Sequence, residues 1–180
     1  LIVKHLGKHG AELKLHAQGI DDRPVTTEYE AKSISQEVTF AQDTTDLSLL
    51  RHTLQELVAK VAYRLRRKGV CAQVIRIKVR WSDFTTLTRQ VALATPTDVD
   101  SIIATEAETL LKKVLQPGRP VRLIGVGGSG LVVQAQQLSL WGTHTEKERK
   151  LLAAVDELNE KFGKGSVQRA NLIRLKDGED

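Results

Sequence analysis

Cysteines, long apolar runs and a recognisable secretion signal are missing or nearly missing from this sequence, and each absence excludes a class of protein. Cys71 is the only cysteine, so the chain has no internal disulfide and no zinc site built from cysteines. No apolar run approaches the roughly 20 residues that a membrane-spanning helix needs. The start of the chain does not resemble a signal peptide. We therefore expect a cytoplasmic protein without a membrane partner.

Residues arranged for catalysis or metal binding are also lacking. The glycine-rich residues 125–130 follow a predicted strand, but they lack the following helix and the acidic residue of a dinucleotide site, and we interpret them as a flexible strand exit. His5 and His9 stand four residues apart without an evident third ligand. Asp98 and Asp100 stand at the start of a predicted helix, where carboxylates cap the helix or favour its dipole. We predict no catalytic residue, no metal and no cofactor in this chain.

Basic residues are unevenly distributed along the chain. Lysine and arginine number 27 against 22 acidic residues, which gives a net charge of +5 and favours a polyanionic partner. Residues 57–82 contain eight basic residues and no acidic one, whereas residues 145–180 contain eight of each. The whole basic excess therefore lies before residue 145.

The periodicity of the apolar residues predicts one α+β domain with helical appendages. Side chains alternate in three predicted strands, at residues 32–40, 75–80 and 87–93, and residues 121–126 supply a fourth strand. Apolar residues recur at helical spacing in two predicted helices, at residues 47–65 and 99–114. The order is the split β-α-β-β-α-β pattern, with a four-stranded sheet and two helices on one face. The appendages are a short helix before Gly19, broken at residues 7–10, and an amphipathic helix at residues 146–162 with apolar Leu151, Val155, Leu158 and Phe162.

The uncovered face of this sheet carries a row of cations. Arg76, Lys78 and Arg80 alternate with buried residues of one strand, and Thr86, Thr88 and Gln90 lie on the same face of the next strand. Residues on one face of a strand stand about 6.6 Å apart, a spacing comparable with that of successive phosphates. Such a row can bind a nucleic-acid backbone without reading bases, and the alternative is an ordinary solvated strand. The nearby Arg64, Arg66, Arg67 and Lys68 are interpreted as cations favoured at a helix C-terminus.

An ordered set of short motifs covers nearly the whole chain. The motifs are at residues 7–10, 17–21, 32–34 with Glu37, Thr39 and Phe40, 61–66, 77–80, 83–89 and 121–126. They resemble the C-terminal third of bacterial Y-family DNA polymerases of the DNA polymerase IV (DinB) type. The resemblance implies the end of a thumb domain at 1–21, a linker at 22–31, a little finger domain at 32–135, a sliding-clamp-binding motif at 136–142 and a helical tail at 143–180. The sequence begins in mid-pattern at Leu1, as expected of a fragment.

The resemblance also implies a function. The little finger of this family lays its sheet in the DNA major groove and grips the backbone of duplex or primer-template DNA. The contacts expected from the resemblance are Lys32, Ser33, Ser35, Thr39, Arg76, Lys78, Arg80, Thr86, Thr88 and Arg122. Some relatives have a further basic residue after the fourth strand, where this chain has Gly127 and Gly128. The catalytic palm, with the carboxylates that bind magnesium, would precede Leu1, so we expect no nucleotidyl transfer by this chain alone.

Residues 137–141 resemble the pentapeptide with which bacterial proteins bind the sliding clamp. The motif consists of Gln137, Leu138, Ser139, Leu140 and Trp141. One polar anchor and three apolar side chains on an extended segment can fill a preformed hydrophobic groove. The alternative for this pattern alone is a buried edge strand. Beside a little finger domain, we expect the sliding clamp as a second partner.

A stand-alone nucleic-acid-binding module of split βαβ topology is the alternative to a polymerase fragment. Sheets that recognise RNA stack bases on aromatic residues of their central strands. The open face predicted here instead offers cations, threonines and a glutamine. This composition favours binding to a duplex backbone.

Overall fold

The computed structural model describes residues 2–25, 31–133, 144–163, 165–168 and 170. The chain divides into two units, Leu1–Glu30 and Ala31–Asp180. The first unit contains helix α1 (Ile2–Ala17), which is kinked at Gly7 with φ 53° and ψ −136°. Glycine adopts positive φ without a steric penalty because it has no Cβ. The kink confirms the predicted break at residues 7–10.

The second unit contains the predicted α+β domain. Its elements are β1 (Ser33–Thr44), α2 (Leu47–Arg67), β2 (Val70–Trp81), β3 (Thr86–Thr97), α3 (Asp100–Val114), β4 (Val121–Val133) and α4 (His144–Phe162). The predicted order β-α-β-β-α-β is confirmed. Strand β4 continues through the glycine-rich residues to Val133, so the interpretation of residues 125–130 as a strand exit is wrong. Gly127 and Gly128 lie inside this strand rather than after it.

The sheet combines two interlocked split βαβ units. Its strand order is β1-β4-β2-β3, and every neighbouring pair is antiparallel. Strands β1 and β2 are therefore parallel to each other with β4 between them, and β3 and β4 are parallel with β2 between them. Helix α2 connects the first parallel pair and α3 connects the second. This arrangement places β2 and β4 in the centre of the sheet.

One core lies between the sheet and helices α2 and α3. The predicted inward residues Ile75, Ile77 and Val79 of β2 are fully buried. They pack with apolar residues of both helices that are equally buried, namely Leu54, Val61, Leu65, Ile103 and Leu111. Burying side chains of this size stabilises the fold by about 1.5–3 kcal/mol each. Among the described residues of the second unit no helix covers the opposite face of the sheet, as the pattern predicted.

Helix α4 packs against the same domain, mainly through polar contacts. The Arg66 guanidinium on α2 donates to both carboxylate oxygens of Asp156 on α4, at 2.6 and 3.1 Å. Arg149 of α4 donates to Asp98 at 3.1 Å and lies 3.9 Å from the sulfur of Cys71. The Tyr63 hydroxyl donates to Glu160 at 2.9 Å. These contacts hold α4 beside the C-terminal end of α2.

Three predictions in this region need correction. The buried leucine of α4 is Leu152, whereas Leu151 is 61% exposed. Asp98 does not cap α3, because its buried carboxylate binds Arg149 instead. Arg66 is more than a cation favoured by the helix terminus, since it links Asp100 and Asp156.

Candidate nucleic-acid interface

The uncovered face of the sheet is organised in rows that run across all four strands. One row contains Ser35, Gly127, Arg76 and Gln90, and the next contains Glu37, Gly125, Lys78 and Thr88. The rows on either side contain Thr39, Leu123, Arg80 and Thr86, and Ser33, Ser129, Val74 and Ala92. We call this surface the open face. It brings together eight of the ten residues predicted to contact DNA.

The three cations of the open face are held in different ways. Lys78 Nζ lies 2.9 Å from Glu37 Oε2, and Arg80 Nε donates to the Thr86 hydroxyl at 2.8 Å. The Arg76 guanidinium has no hydrogen bond or ion pair within the described part of the chain. All three stand on the central strand β2, so their charged groups form one line along the middle of the face. Glu37 is the acidic member of these rows, and it partly neutralises Lys78.

Two glycines of β4 leave a depression in the centre of the open face. A Cβ built on Gly127 would lie 2.8 Å from the Cβ of Ser35, and one built on Gly125 would lie 2.9 Å from the Cβ of Glu37. Contacts this short are not compatible with ordinary packing, so the close approach of β1 and β4 requires glycine. Because these positions carry no side chains, a depression of about 320 Å³ lies between the row of cations and β1. This role of the glycines was not predicted from the sequence, although their alternation within a strand pattern is a signal for it.

The remaining two predicted contacts lie outside the rows. Lys32 is exposed immediately before β1. Arg122 on β4 lies 3.5 Å from Asp43, and its guanidinium carbon is 4.8 Å from the centre of the Phe84 ring. The bulge between Arg80 and Trp81 sets Arg122 apart from the regular rows. Arg122 thus lies near the β2–β3 turn rather than in the row of Arg76, Lys78 and Arg80.

The β2–β3 turn is held by a compact polar network. Asp83 accepts hydrogen bonds from the Thr85 backbone N–H at 2.9 Å and from Arg119 at 2.7 Å. These hydrogen bonds hold the pKa of Asp83 below its ordinary value, the Thr85 N–H contributing most. Arg119 also lies over the Trp81 ring, 4.1 Å from its centre. The turn at the end of the open face is therefore well ordered.

The clamp-binding motif at residues 137–141 lies outside the described residues. Among the residues that the structure describes, no group of three or more histidine, cysteine, aspartate or glutamate side chains could hold a metal ion. The helices described here do not reach the combination of length and apolar character that crossing a membrane requires.

Comparison with known proteins places this domain in a family. Residues 31–140 match the model described as the impB/mucB/samB family C-terminal domain. The chain belongs to this family. The matched region contains the whole sheet and both helices that cover it, so the open face is part of the shared domain.

Several relatives of this chain are proteins named DNA polymerase IV. The chain is 42% identical over 174 residues to DNA polymerase IV of Dehalococcoides mccartyi strain 195, covering 96% of this chain and 44% of that protein. It is 37% identical to DNA polymerase IV of Desulfatibacillum aliphaticivorans, covering 96% of this chain and 45% of that protein. It is 34% identical to DNA polymerase IV 1 of Bacillus subtilis strain 168, with coverages of 96% and 43%. The chain thus spans less than half the length of these relatives, and the predicted resemblance to the C-terminal part of a Y-family polymerase is confirmed.

Proposed function

We propose that this chain is the DNA-holding part of a translesion DNA polymerase, and that it grips primer-template DNA in the major groove through its open face. The observation that carries the proposal is the line of Arg76, Lys78 and Arg80 along the central strand of an uncovered sheet. The hydroxyls of Thr86 and Thr88 flank that line on the neighbouring strand. Cations and hydroxyls so placed can bind successive phosphates without distinguishing bases.

The shape of the open face supports this proposal. Gly125 and Gly127 leave a depression beside the cations, so that a phosphate backbone can approach the strands closely. Ser35 lines the far side of that depression, and Ser33 follows it on the same face of β1, where both can donate to the same backbone. Grip of this kind is independent of sequence and suits an enzyme that must hold any template.

We further propose that the whole protein is a DNA-directed DNA polymerase whose catalytic palm lies outside this chain. Two-metal phosphoryl transfer requires clustered carboxylates to hold magnesium. The palm would supply those carboxylates and the magnesium, whereas the residues described here would position the DNA. This chain alone should then bind DNA without extending a primer.

Salt titration of DNA binding tests the grip directly. The purified chain should bind primer-template DNA without sequence preference, and log K should fall linearly with log salt by about 0.9 for each phosphate contact. Replacing Arg76, Lys78 and Arg80 with alanine should lower that slope by up to about 2.7. A variant with Lys147, Lys150 and Lys161 of α4 replaced by alanine loses the same net charge and is the matched control. If the open-face variant is folded and its slope of log K against log salt is unchanged, these cations do not contact DNA.

We propose that residues 137–141 tether the polymerase to the sliding clamp. The support is the pattern itself: Gln137 as a polar anchor, with Leu138, Leu140 and Trp141 to fill an apolar groove. A short extended segment loses backbone freedom on binding, so we expect low-micromolar affinity, about 8 kcal/mol.

Titration of the chain against purified clamp tests this second contact. Replacing Leu140 and Trp141 with alanine should weaken binding by at least about 2 kcal/mol, as hot-spot residues do. Ser139→Ala is the matched control and should change little. DNA affinity should be the same in all three proteins, because the two contacts use different parts of the chain. Equal clamp affinities for the double variant and the native chain would show that residues 137–141 do not bind the clamp.

A further inference from the structure

We propose that Phe84, at the tip of the β2–β3 turn, contacts an unpaired template nucleotide next to the duplex that the open face holds. The inference rests on the proposed function, because it needs DNA on the open face. It adds a preference that the row of cations cannot supply, namely for a junction between duplex and single strand.

Phe84 has an exposed ring on a strained backbone. Its side chain is 63% exposed, and its φ is 64°. Within the described residues it is the one non-glycine residue with positive φ. A bulky side chain is disfavoured there, and the exposed ring recovers little of that cost by burial. Burial of the ring therefore does not explain an aromatic residue at this position.

The surrounding turn holds Phe84 in this conformation. Its backbone N–H donates to the Trp81 carbonyl at 3.0 Å, and the Trp81 N–H donates to the Thr85 carbonyl at 3.0 Å. The Asp83 carboxylate holds the Thr85 N–H on the other side of Phe84. Because the flanking residues are all hydrogen-bonded, the backbone of the turn fixes the direction in which the Phe84 side chain leaves it.

The Phe84 ring continues the open face at one end. The Thr86 hydroxyl, which accepts from Arg80, lies 3.4 Å from the Phe84 carbonyl. Arg122 lies over the ring at 4.8 Å and directly precedes Leu123, which pairs with Arg80 across the sheet. A strand of DNA that follows the row of cations along β2 therefore reaches the ring and Arg122 next.

Phe84 and Arg122 together offer the contacts that a nucleotide can make with a protein. Every base has a flat π face that stacks on an aromatic ring, and Arg122 can accompany it with a contact to phosphate. Inside a duplex both faces of each base are covered by its neighbours, so Phe84 can stack only on an unpaired base or on the pair at a duplex end, and the comparison with blunt duplex distinguishes the two. We infer that the occupant is the first unpaired nucleotide of the template.

Binding to matched DNA molecules tests the inference in the full chain. The native chain should bind a primer-template with a single-stranded template overhang at least about fivefold more tightly than the blunt duplex, the lower end of what one stacked base contributes. Phe84→Gly removes the ring and the strain, and Phe84→Leu keeps an apolar side chain without a π face. Both should lose the preference while binding blunt duplex within about twofold of the native chain. Phe84→Trp should retain the preference.

A melting experiment distinguishes this role from a structural one. Phe84→Gly should melt at the native temperature or above, because glycine accepts positive φ without strain. A clearly lower melting temperature would overturn the inference, and so would a preference that survives in Phe84→Gly or Phe84→Leu. If the native chain binds both DNA molecules equally and the alanine triple variant lowers the salt slope, the grip stands and this inference fails. If the native chain binds neither DNA molecule, both the proposed grip and this inference fail.

Discussion

Glu37→Gln should increase the affinity for DNA, because Glu37 places a negative charge where the proposal places a phosphate. The Glu37 carboxylate lies 2.9 Å from Lys78 Nζ, and the two side chains are 51% and 34% exposed. An ion pair this exposed contributes less than about 1 kcal/mol to stability, so its removal should leave the free energy of unfolding nearly unchanged. Glutamine keeps the length of the side chain and one acceptor oxygen while it removes the charge.

The size of the gain follows from Coulomb's law. A phosphate bound to Lys78 would stand about 5 Å from the Glu37 carboxylate, where two like charges in water repel by about 0.8 kcal/mol. At about 0.1 M salt the Debye length of about 10 Å reduces that repulsion to about 0.5 kcal/mol, so removing it should tighten binding about twofold.

Fluorescence anisotropy with labelled primer-template measures this change. Glu157→Gln on α4 is the matched control, because it makes the same change in net charge at an exposed position outside the open face. A net-charge effect would be equal in the two variants. Equal affinities for both variants, or no gain in Glu37→Gln, would refute the assignment of DNA to the open face.

Three further predictions concern the framework that supports this face. Gly127→Ala should destabilise the fold by about 1–3 kcal/mol in chemical denaturation, because the new Cβ would lie 2.8 Å from that of Ser35. Arg66→Met should speed labelling of the buried Cys71 thiol at least about tenfold, because loss of the guanidinium weakens the attachment of α4 and favours its local opening; an unchanged labelling rate would mean that α4 does not depend on this contact. Since the pKa of Asp83 is depressed in the folded state, its contribution to stability is present above its unfolded pKa of about 3.9 and is lost as the pH falls through the lower folded value. The melting temperature of Asp83→Asn should therefore lie below that of the native chain at neutral pH and approach it below about pH 4, and a constant difference would contradict this.

The order of elements and the composition of the open face could be predicted from the sequence. Alternation of side chains is a local property of an extended backbone, so the opposite faces of Ile75–Arg76 and Ile77–Lys78 follow from their positions alone. The apolar spacing of α2 likewise identifies its buried side before any partner is known. The resemblance to polymerases then added the candidate DNA contacts that the local pattern did not indicate, namely Lys32, Ser33, Ser35, Thr39 and Arg122.

Contacts between distant parts of the chain were decided by the tertiary structure. Glu37 and Lys78 are 41 residues apart and meet because β4 enters the sheet between their strands with Gly125 at the crossing. The position of Asp98 in the sequence predicted a helix cap, but in the tertiary structure its carboxylate pairs with Arg149 of α4. Alternation tells which face a side chain occupies, but its neighbours on that face depend on strand order and register, which form only when remote segments pack together.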